Sequence, residues 1–129
     1  MITNAIDQVK EFAEAFNIKY SKEINPNLDQ STIDLRFRLM EEENLEYLEA
    51  AKNNDIVEIA DALGDILYIL CGTILAHGLQ HKIVEVFNEI QRSNMSKLDI
   101  NGKPIFREDG KILKGPNYFK PNIKDILDK

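Results

Sequence analysis

Apolar residues recur at helical spacing in four successive stretches, separated by polar, turn-forming segments. Ile6, Val9, Phe12, Ala13 and Phe16 fall three and four apart, so a first helix is expected over residues 3–18, capped by Thr3 or Asn4. Pro26 and its polar neighbours predict a loop over residues 19–30. Ser31-Thr32 then opens a second helix, with Asp34 in its first turn and Ile33, Leu35, Leu39, Leu45 and Leu48 at its apolar positions. Asn53-Asn54-Asp55 marks a turn, and Asp55 with Glu58 fits a capping box. A third helix follows over 56–77, with Ile59, Leu63, Ile66, Leu67, Leu70 and Ile74 expected to be buried and Gly78 to end it. Gly64 and Gly72 inside it imply close approach of another helix. A fourth helix over 80–94 is expected to point Ile83, Val84, Phe87 and Ile90 inward. Beyond it, Asp109-Gly110 between Ile105-Phe106 and Ile112-Leu113 predicts a small β-hairpin, and residues 123–127 a short helix or turn. The expected fold is all-α: one domain of four to five helices over about 3–95, with a short C-terminal hairpin or loop extension over 96–129.

Composition changes this picture little, but charge does. At 129 residues with 43% hydrophobic and 29% charged positions, the chain is long enough to bury a core. The net charge of −6 argues against general nucleic-acid binding. Its distribution is uneven: residues 41–65 hold nine acids against Lys52 alone, whereas residues 91–124 hold eight Lys or Arg against three acids. That division suits a protein holding metal with one part and phosphate with another. Cys71 is the single cysteine, in an apolar helical run, and reads as a buried thiol. His77 and His81 have ligand spacing, but Gly78 between them argues against a zinc site. No signal peptide is seen, and the apolar run around residues 66–76 is too short to span a membrane, so a cytoplasmic location is expected.

The acids themselves are patterned. Glu42, Glu43 and Glu46 share one face of the second helix, Glu58 and Asp61 one face of the third, and Asp65 lies a turn further on the same side. The positions four residues after Glu42, Glu46, Glu58 and Asp61 hold Glu46, Ala50, Ala62 and Asp65, so no basic partner is supplied. Ala50, Ala60 and Ala62 let helices approach closely. The residues leave two meanings open: a divalent-metal site between two helices, or a solvated acidic face. A calcium loop is excluded, because its spacing is absent. Arg36 and Arg38 stand one to two turns before the glutamates, where they can pair with them or with a ligand phosphate.

Glu42-Glu43-x-x-Glu46, eleven residues, then Glu58-x-x-Asp61 resembles the EExxE…ExxD signature of the all-α nucleoside triphosphate pyrophosphohydrolases, which include MazG proteins, dimeric dUTPases and phosphoribosyl-ATP pyrophosphohydrolases. The likeness extends through Arg36-x-Arg38-Leu39-Met40-Glu41, Asp65-Ile66-Leu67-Tyr68, Arg92-Ser93-Asn94-Met95-Ser96-Lys97, Gly102-Lys103-Pro104, Arg107-Glu108-Asp109-Gly110-Lys111 and Leu113-Lys114-Gly115-Pro116, over about residues 30–122. The tail looks like the phosphoribosyl-ATP pyrophosphohydrolase-like branch. The resemblance implies a MazG-like helical bundle forming a homodimer or homotetramer. It implies Mg²⁺, with Mn²⁺ as substitute, on Glu43, Glu46, Glu58 and Asp61. Glu42 matches an additional glutamate, so Glu42, Glu43 and Glu46 are the catalytic candidates. Substrate contacts are expected from Asn94 and Lys97 near the end of the fourth helix, and from Lys114, Asn117 and Tyr118 in the basic tail, with Tyr118 or Phe119 able to stack on a base. The implied reaction converts a nucleoside triphosphate, ribo or deoxy, to the monophosphate and pyrophosphate. Phosphoribosyl-ATP cleavage is the alternative substrate reading. A non-catalytic helical module with an acidic binding face is the alternative from another class.

Overall fold

Five helices form where caps and breakers allow them. The computed structural model describes residues 1–129. They are α1 (Ile2–Ala15), α2 (Gln30–Lys52), α3 (Ile56–Ala76), α4 (Ile83–Met95) and α5 (Ile123–Asp128). The chain divides into two compact units, Met1–His81 and Lys82–Lys129.

In the first unit, α1 and α2 each pack against α3. Helix α1 starts directly after Met1, without the side-chain cap expected of Thr3 or Asn4. It also ends earlier than its apolar stripe suggests, because Asn17 adopts φ 55° and turns the chain. Helix α2 is capped by Asp29, not Ser31: its carboxylate accepts the Thr32 N–H at 2.9 Å. Asp55 caps α3 through the Glu58 N–H at 3.2 Å. The Asp55 N–H goes to the Ala50 carbonyl at 3.1 Å, so the reciprocal half of a capping box is not needed and the Glu58 side chain is left free. At the other end of α3, Gly78 takes φ 69°, and a Cβ there would lie 1.9 Å from the Glu23 carbonyl oxygen. The expected loop fastens onto this helix end. Ser21 Oγ donates to the Ala76 carbonyl at 2.7 Å, the Asn25 N–H to the His77 carbonyl at 2.8 Å, and Gln80 Nε2 to the Ser21 carbonyl at 2.9 Å. His77 Nδ1 meets the Asn25 carbonyl at 2.9 Å, a further tie between the loop and this helix end, while His81 stands exposed.

The core of this unit is Ile6, Val9 and Ala13 of α1 with Ala62, Cys71, Ile74, Leu75 and Ala76 of α3, and Ala50 of α2. Cys71 is fully buried, and burial pushes its thiol pKa up. Other expected core positions are not covered: Leu63, Leu67 and Leu70 stand exposed, as do Phe12 and Phe16 of α1. The period placed these residues on apolar faces correctly, but this unit covers them only in part: Phe12 stacks on Phe16 and meets the Tyr68 ring edge to face. Helix α3 is longer than the apolar run read from the sequence, and by length and composition it is able to cross a membrane. Here it is the helix on which both neighbours pack.

In the second unit, α4 packs with α5. Its buried face is not Val84, Phe87 and Ile90, which are exposed, but Glu89 and Ser93. The tail explains this. Ser93 Oγ donates to the Phe119 carbonyl at 2.8 Å, and Glu89 accepts the Asn122 N–H at 2.6 Å, so the segment leading to α5 lies along a polar seam of α4. The expected β-hairpin is reduced to one antiparallel bridge, Phe106 with Ile112, around a turn at Gly110 with φ 88°. Pro104, without an N–H, precedes one arm, and Gly115-Pro116 follows the other, so no ladder extends.

Candidate functional site

The turn at residues 53–55 folds α2 back on α3, and buried Ala50 and Ala62 let the two backbones come close. The carboxylates of both helices therefore meet across the seam. Oxygen atoms of Glu43, Glu46 and Asp65 all lie within 4.8 Å of one another. Glu43 and Asp65 are half-buried and Glu46 exposed, and Glu43 Oε2 is buried without any hydrogen-bond partner. Burial first, then the neighbouring Glu46 carboxylate, then the charges of Asp65 and Asp61, push the Glu43 pKa up to about 7. Beside this cluster, Glu46, Glu58 and Asp61 line an open hollow of about 420 Å³ with Glu49 and Asp55.

Glu46 thus belongs to both groupings, Glu43 to the cluster, and Glu58 and Asp61 to the hollow. Glu42 is exposed and outside both. Asp65 was not in the ligand set taken from the motif, yet it completes the cluster; its position four residues after Asp61, on the same face, was the available signal. The donor set fits a hard divalent cation. It is all oxygen and carries several negative charges. It leaves a buried carboxylate oxygen unpaired, and a bound cation would relieve both the repulsion and the orphaned atom.

Arg36 does not join the glutamates. Its Nε donates to Thr73 Oγ1 at 3.0 Å and its Nη2 to the Ile69 carbonyl at 2.8 Å, tying α2 to α3 further along the seam. It sits where a Gly72 Cβ would stand, which accounts for that glycine; around Gly64 no neighbour approaches.

The remaining sequence candidates lie in the second unit. Asn94 is exposed near the end of α4 and Lys97 is half-buried, its carbonyl accepting the Gly115 N–H at 2.8 Å. Lys114 Nζ lies 4.8 Å from the centre of the Tyr118 ring, so one face of that ring is already occupied. The Phe119 ring is likewise covered by Arg92 at 4.2 Å. Asn117 is exposed.

Comparison with known proteins bears on the family of the chain. The sequence profile of the family described as phosphoribosyl-ATP pyrophosphohydrolase matches residues 9–94. "Uncharacterized protein L479" of Acanthamoeba polyphaga mimivirus is 42% identical over 97 residues, covering 74% of this chain and 34% of that protein. The chain therefore spans about a third of the length of this curated relative. With five helices, no strand, and the match running from α1 through most of α4, the chain belongs to the phosphoribosyl-ATP pyrophosphohydrolase family, a group with an all-helical MazG-like fold and typical divalent-metal dependence.

Proposed function

We infer that this chain is a Mg²⁺-dependent nucleoside triphosphate pyrophosphohydrolase that converts a ribo- or deoxynucleotide to its monophosphate and pyrophosphate. The observation that carries the reading is the Glu43–Glu46–Asp65 cluster with its orphaned, buried Glu43 oxygen. Glu43, Glu46 and Asp65 would hold one ion, and Glu58 and Asp61 extend the set across the adjacent hollow. When bound, Mg²⁺ or Mn²⁺ neutralises the triphosphate and polarises the phosphoryl group under attack. Glu42, exposed beside the cluster, is the base that takes a proton from the attacking water. The water oxygen then bonds to the α-phosphorus, the bond to the bridging oxygen breaks, and pyrophosphate leaves. As substrate contacts we propose Asn94, Lys97, Lys114, Asn117 and Tyr118 of the second unit. In this role Lys114 and Tyr118 act as a pre-formed pair.

Self-association belongs to the same reading. Phe37 (61% exposed), Met40, Ile66 and Leu70 line a shallow groove on α2 and α3, and Leu63 stands 50% exposed on α3. A second copy would cover this apolar surface, giving a homodimer or a dimer of dimers. Light scattering at micromolar concentration checks this, with a dimer or tetramer mass expected. A cytoplasmic location, where nucleoside triphosphates are abundant, is part of the same proposal.

The test is pyrophosphate release from a panel of ribo- and deoxynucleoside triphosphates, with Mg²⁺, with EDTA, and with Glu46→Ala beside the wild type. Metal-dependent release, lost in the variant, is expected. The family match favours phosphoribosyl-ATP as the second substrate to try, and cleavage of it alone would move the assignment there. Activity on neither, with no effect of metal on stability, would leave an acidic binding face.

A further inference from the structure

The acidic cluster occupies only one end of the α2–α3 seam. Along α2, Arg36, Leu39 and Glu43 recur at three and four residues; along α3, Asp65, Tyr68, Ile69 and Gly72 do the same. These positions form one continuous stripe. Where the carboxylates stop, a cavity of about 390 Å³ opens between α1, α2 and α3, lined among others by Phe12, Tyr20, Leu39, Tyr68, Gly72 and Arg36. Its size is that of a small-molecule pocket. It is mostly apolar and has aromatic walls, with Phe12 and Tyr68 edge to face at 5.6 Å.

Into this lining the chain places a cation with no counter-charge. Arg36 is half-buried and takes part in none of the ion pairs. Burial lowers its pKa, the sign of a charge held without compensation. Its two protein acceptors, Thr73 Oγ1 and the Ile69 carbonyl, engage Nε and Nη2, which fixes the guanidinium plane. Nη1 has no acceptor in the protein. The edge between Nη1 and Nη2 therefore retains two parallel N–H groups, a fork that matches two adjacent acceptors on a planar ligand. Gly72 makes this seat possible, since a Cβ there would lie 2.5 Å from Nη2 and 3.2 Å from Cζ.

The geometry points to this cavity as the pocket for the base of the substrate, with Arg36 reading the O6 and N7 acceptors of guanine; this assignment rests on the pyrophosphohydrolase reading above. Seven residues separate Arg36 from Glu43, about 10 Å of helix axis. A base at Arg36 thus sets its sugar and phosphates toward the acidic cluster. Guanine offers two adjacent acceptors to an arginine fork, whereas adenine presents an amino donor beside N7 and repels it. Thymine and uracil have an N–H beside O4. Cytosine has adjacent acceptors too, but a purine better fills the aromatic-walled cavity.

Calorimetric binding of dGMP, dAMP, dCMP and 7-deaza-dGMP in EDTA tests the pocket without chemistry, and a turnover panel of the four dNTPs plus 7-deaza-dGTP runs beside it. We expect dGMP to bind on the order of tenfold more tightly than dAMP or 7-deaza-dGMP, and kcat/KM to follow the same order. Arg36→Met should bring dGMP down toward dAMP, and Gly72→Ala, which keeps the arginine but takes its seat, should weaken dGMP as well. Equal binding of dGMP and 7-deaza-dGMP by the wild type overturns the proposal even if neither variant folds. Turnover of all dNTPs within about twofold overturns it and leaves the hydrolase reading intact. Selectivity led by cytosine overturns the guanine assignment. Guanine-selective binding with no turnover of any dNTP keeps the pocket and overturns deoxynucleotide hydrolysis alone.

Discussion

Glu43 in the first unit and Glu89 in the second are both carboxylates drawn into the protein, and they are treated in opposite ways. Glu89 receives Arg92 Nε at 2.7 Å, Arg92 Nη2 at 3.1 Å and the Asn122 N–H at 2.6 Å. The Arg92 hydrogen bonds first, then the backbone N–H, hold its pKa below the ordinary carboxylate value. Glu43 faces other acids, has an oxygen with no partner, and is pushed up to about 7. Each helix pair could have been built either way. A carboxylate whose lone pairs are all used ties the tail to α4. One whose lone pairs are left unused, among like charges, is waiting for something the chain does not contain.

The largest effect expected from this contrast is on turnover. Glu46→Ala or Glu43→Gln should reduce metal-dependent pyrophosphate release by about 100-fold or more, because each removes an oxygen donor from the cluster. Glu89→Gln should leave the metal response in place while lowering the melting temperature of the second unit. Loss of metal response in Glu89→Gln would erase the distinction drawn above.

Next in size is stabilisation by metal. A ligand at 100 times its Kd adds about 2.7 kcal/mol to a folded state that alone binds it. Titration of Mn²⁺ or Mg²⁺ should raise the wild-type melting temperature and leave that of Glu46→Ala nearly unchanged. An equal rise in both would place the ion elsewhere.

Smaller is the pH response of the metal-free protein. Between the ordinary value of 4.5 and about 7, folded Glu43 holds more proton than unfolded Glu43. Its contribution to stability therefore falls as pH rises through that window and is level above it. Glu89, with its pKa lowered, acts with opposite sign: its contribution is present above about pH 4.5 and is lost as pH falls. Melting curves of Glu43→Gln should lose the decline between pH 5 and 7 expected of the wild type in EDTA, while Glu89→Gln should keep it. Smallest is Lys114→Ala, which removes one exposed cation–π contact, worth ~0.5–1 kcal/mol, and should move stability by no more than that.

The sequence was most informative where local chemistry decides. Asp55 as a cap, the break at residues 53–55, the stripe of Ile6, Val9 and Ala13, and the five helices needed only neighbours a few residues away. It was least informative where a distant segment decides. Arg36 looked like a partner for glutamates one to two turns on, and was claimed by Thr73 and Ile69, thirty-odd residues away. Phe87 and Ile90 looked like core because α4 has an apolar face, but the tail settled on its polar face through Glu89 and Ser93. Asp65 was legible on the acidic face of the third helix, but which carboxylates meet across the seam depends on how α2 lies against α3. Leu63, Leu67 and Leu70 were rightly placed on one side of α3, yet periodicity identifies a face without naming what lies against it. Turn signals at Asp109-Gly110 were real, but Pro104 and Pro116 leave no room for strands.

The clasp between the loop after α1 and the end of α3 has a consequence for the order of assembly. Ser21 reaches Ala76 across 55 residues and Gln80 reaches Ser21 across 59, whereas α2 and α3 are joined by a three-residue turn. Closing the short connection costs far less chain entropy than closing the long ones. The α2–α3 hairpin, with its crowded acids, is therefore expected to nucleate folding, and α1 to dock late. Folding rates should respond strongly to Ala50→Gly and Ala62→Gly and weakly to Ser21→Ala, which should instead speed unfolding. A divalent ion present during refolding would then act on the nucleus itself, relieving the repulsion among its acids.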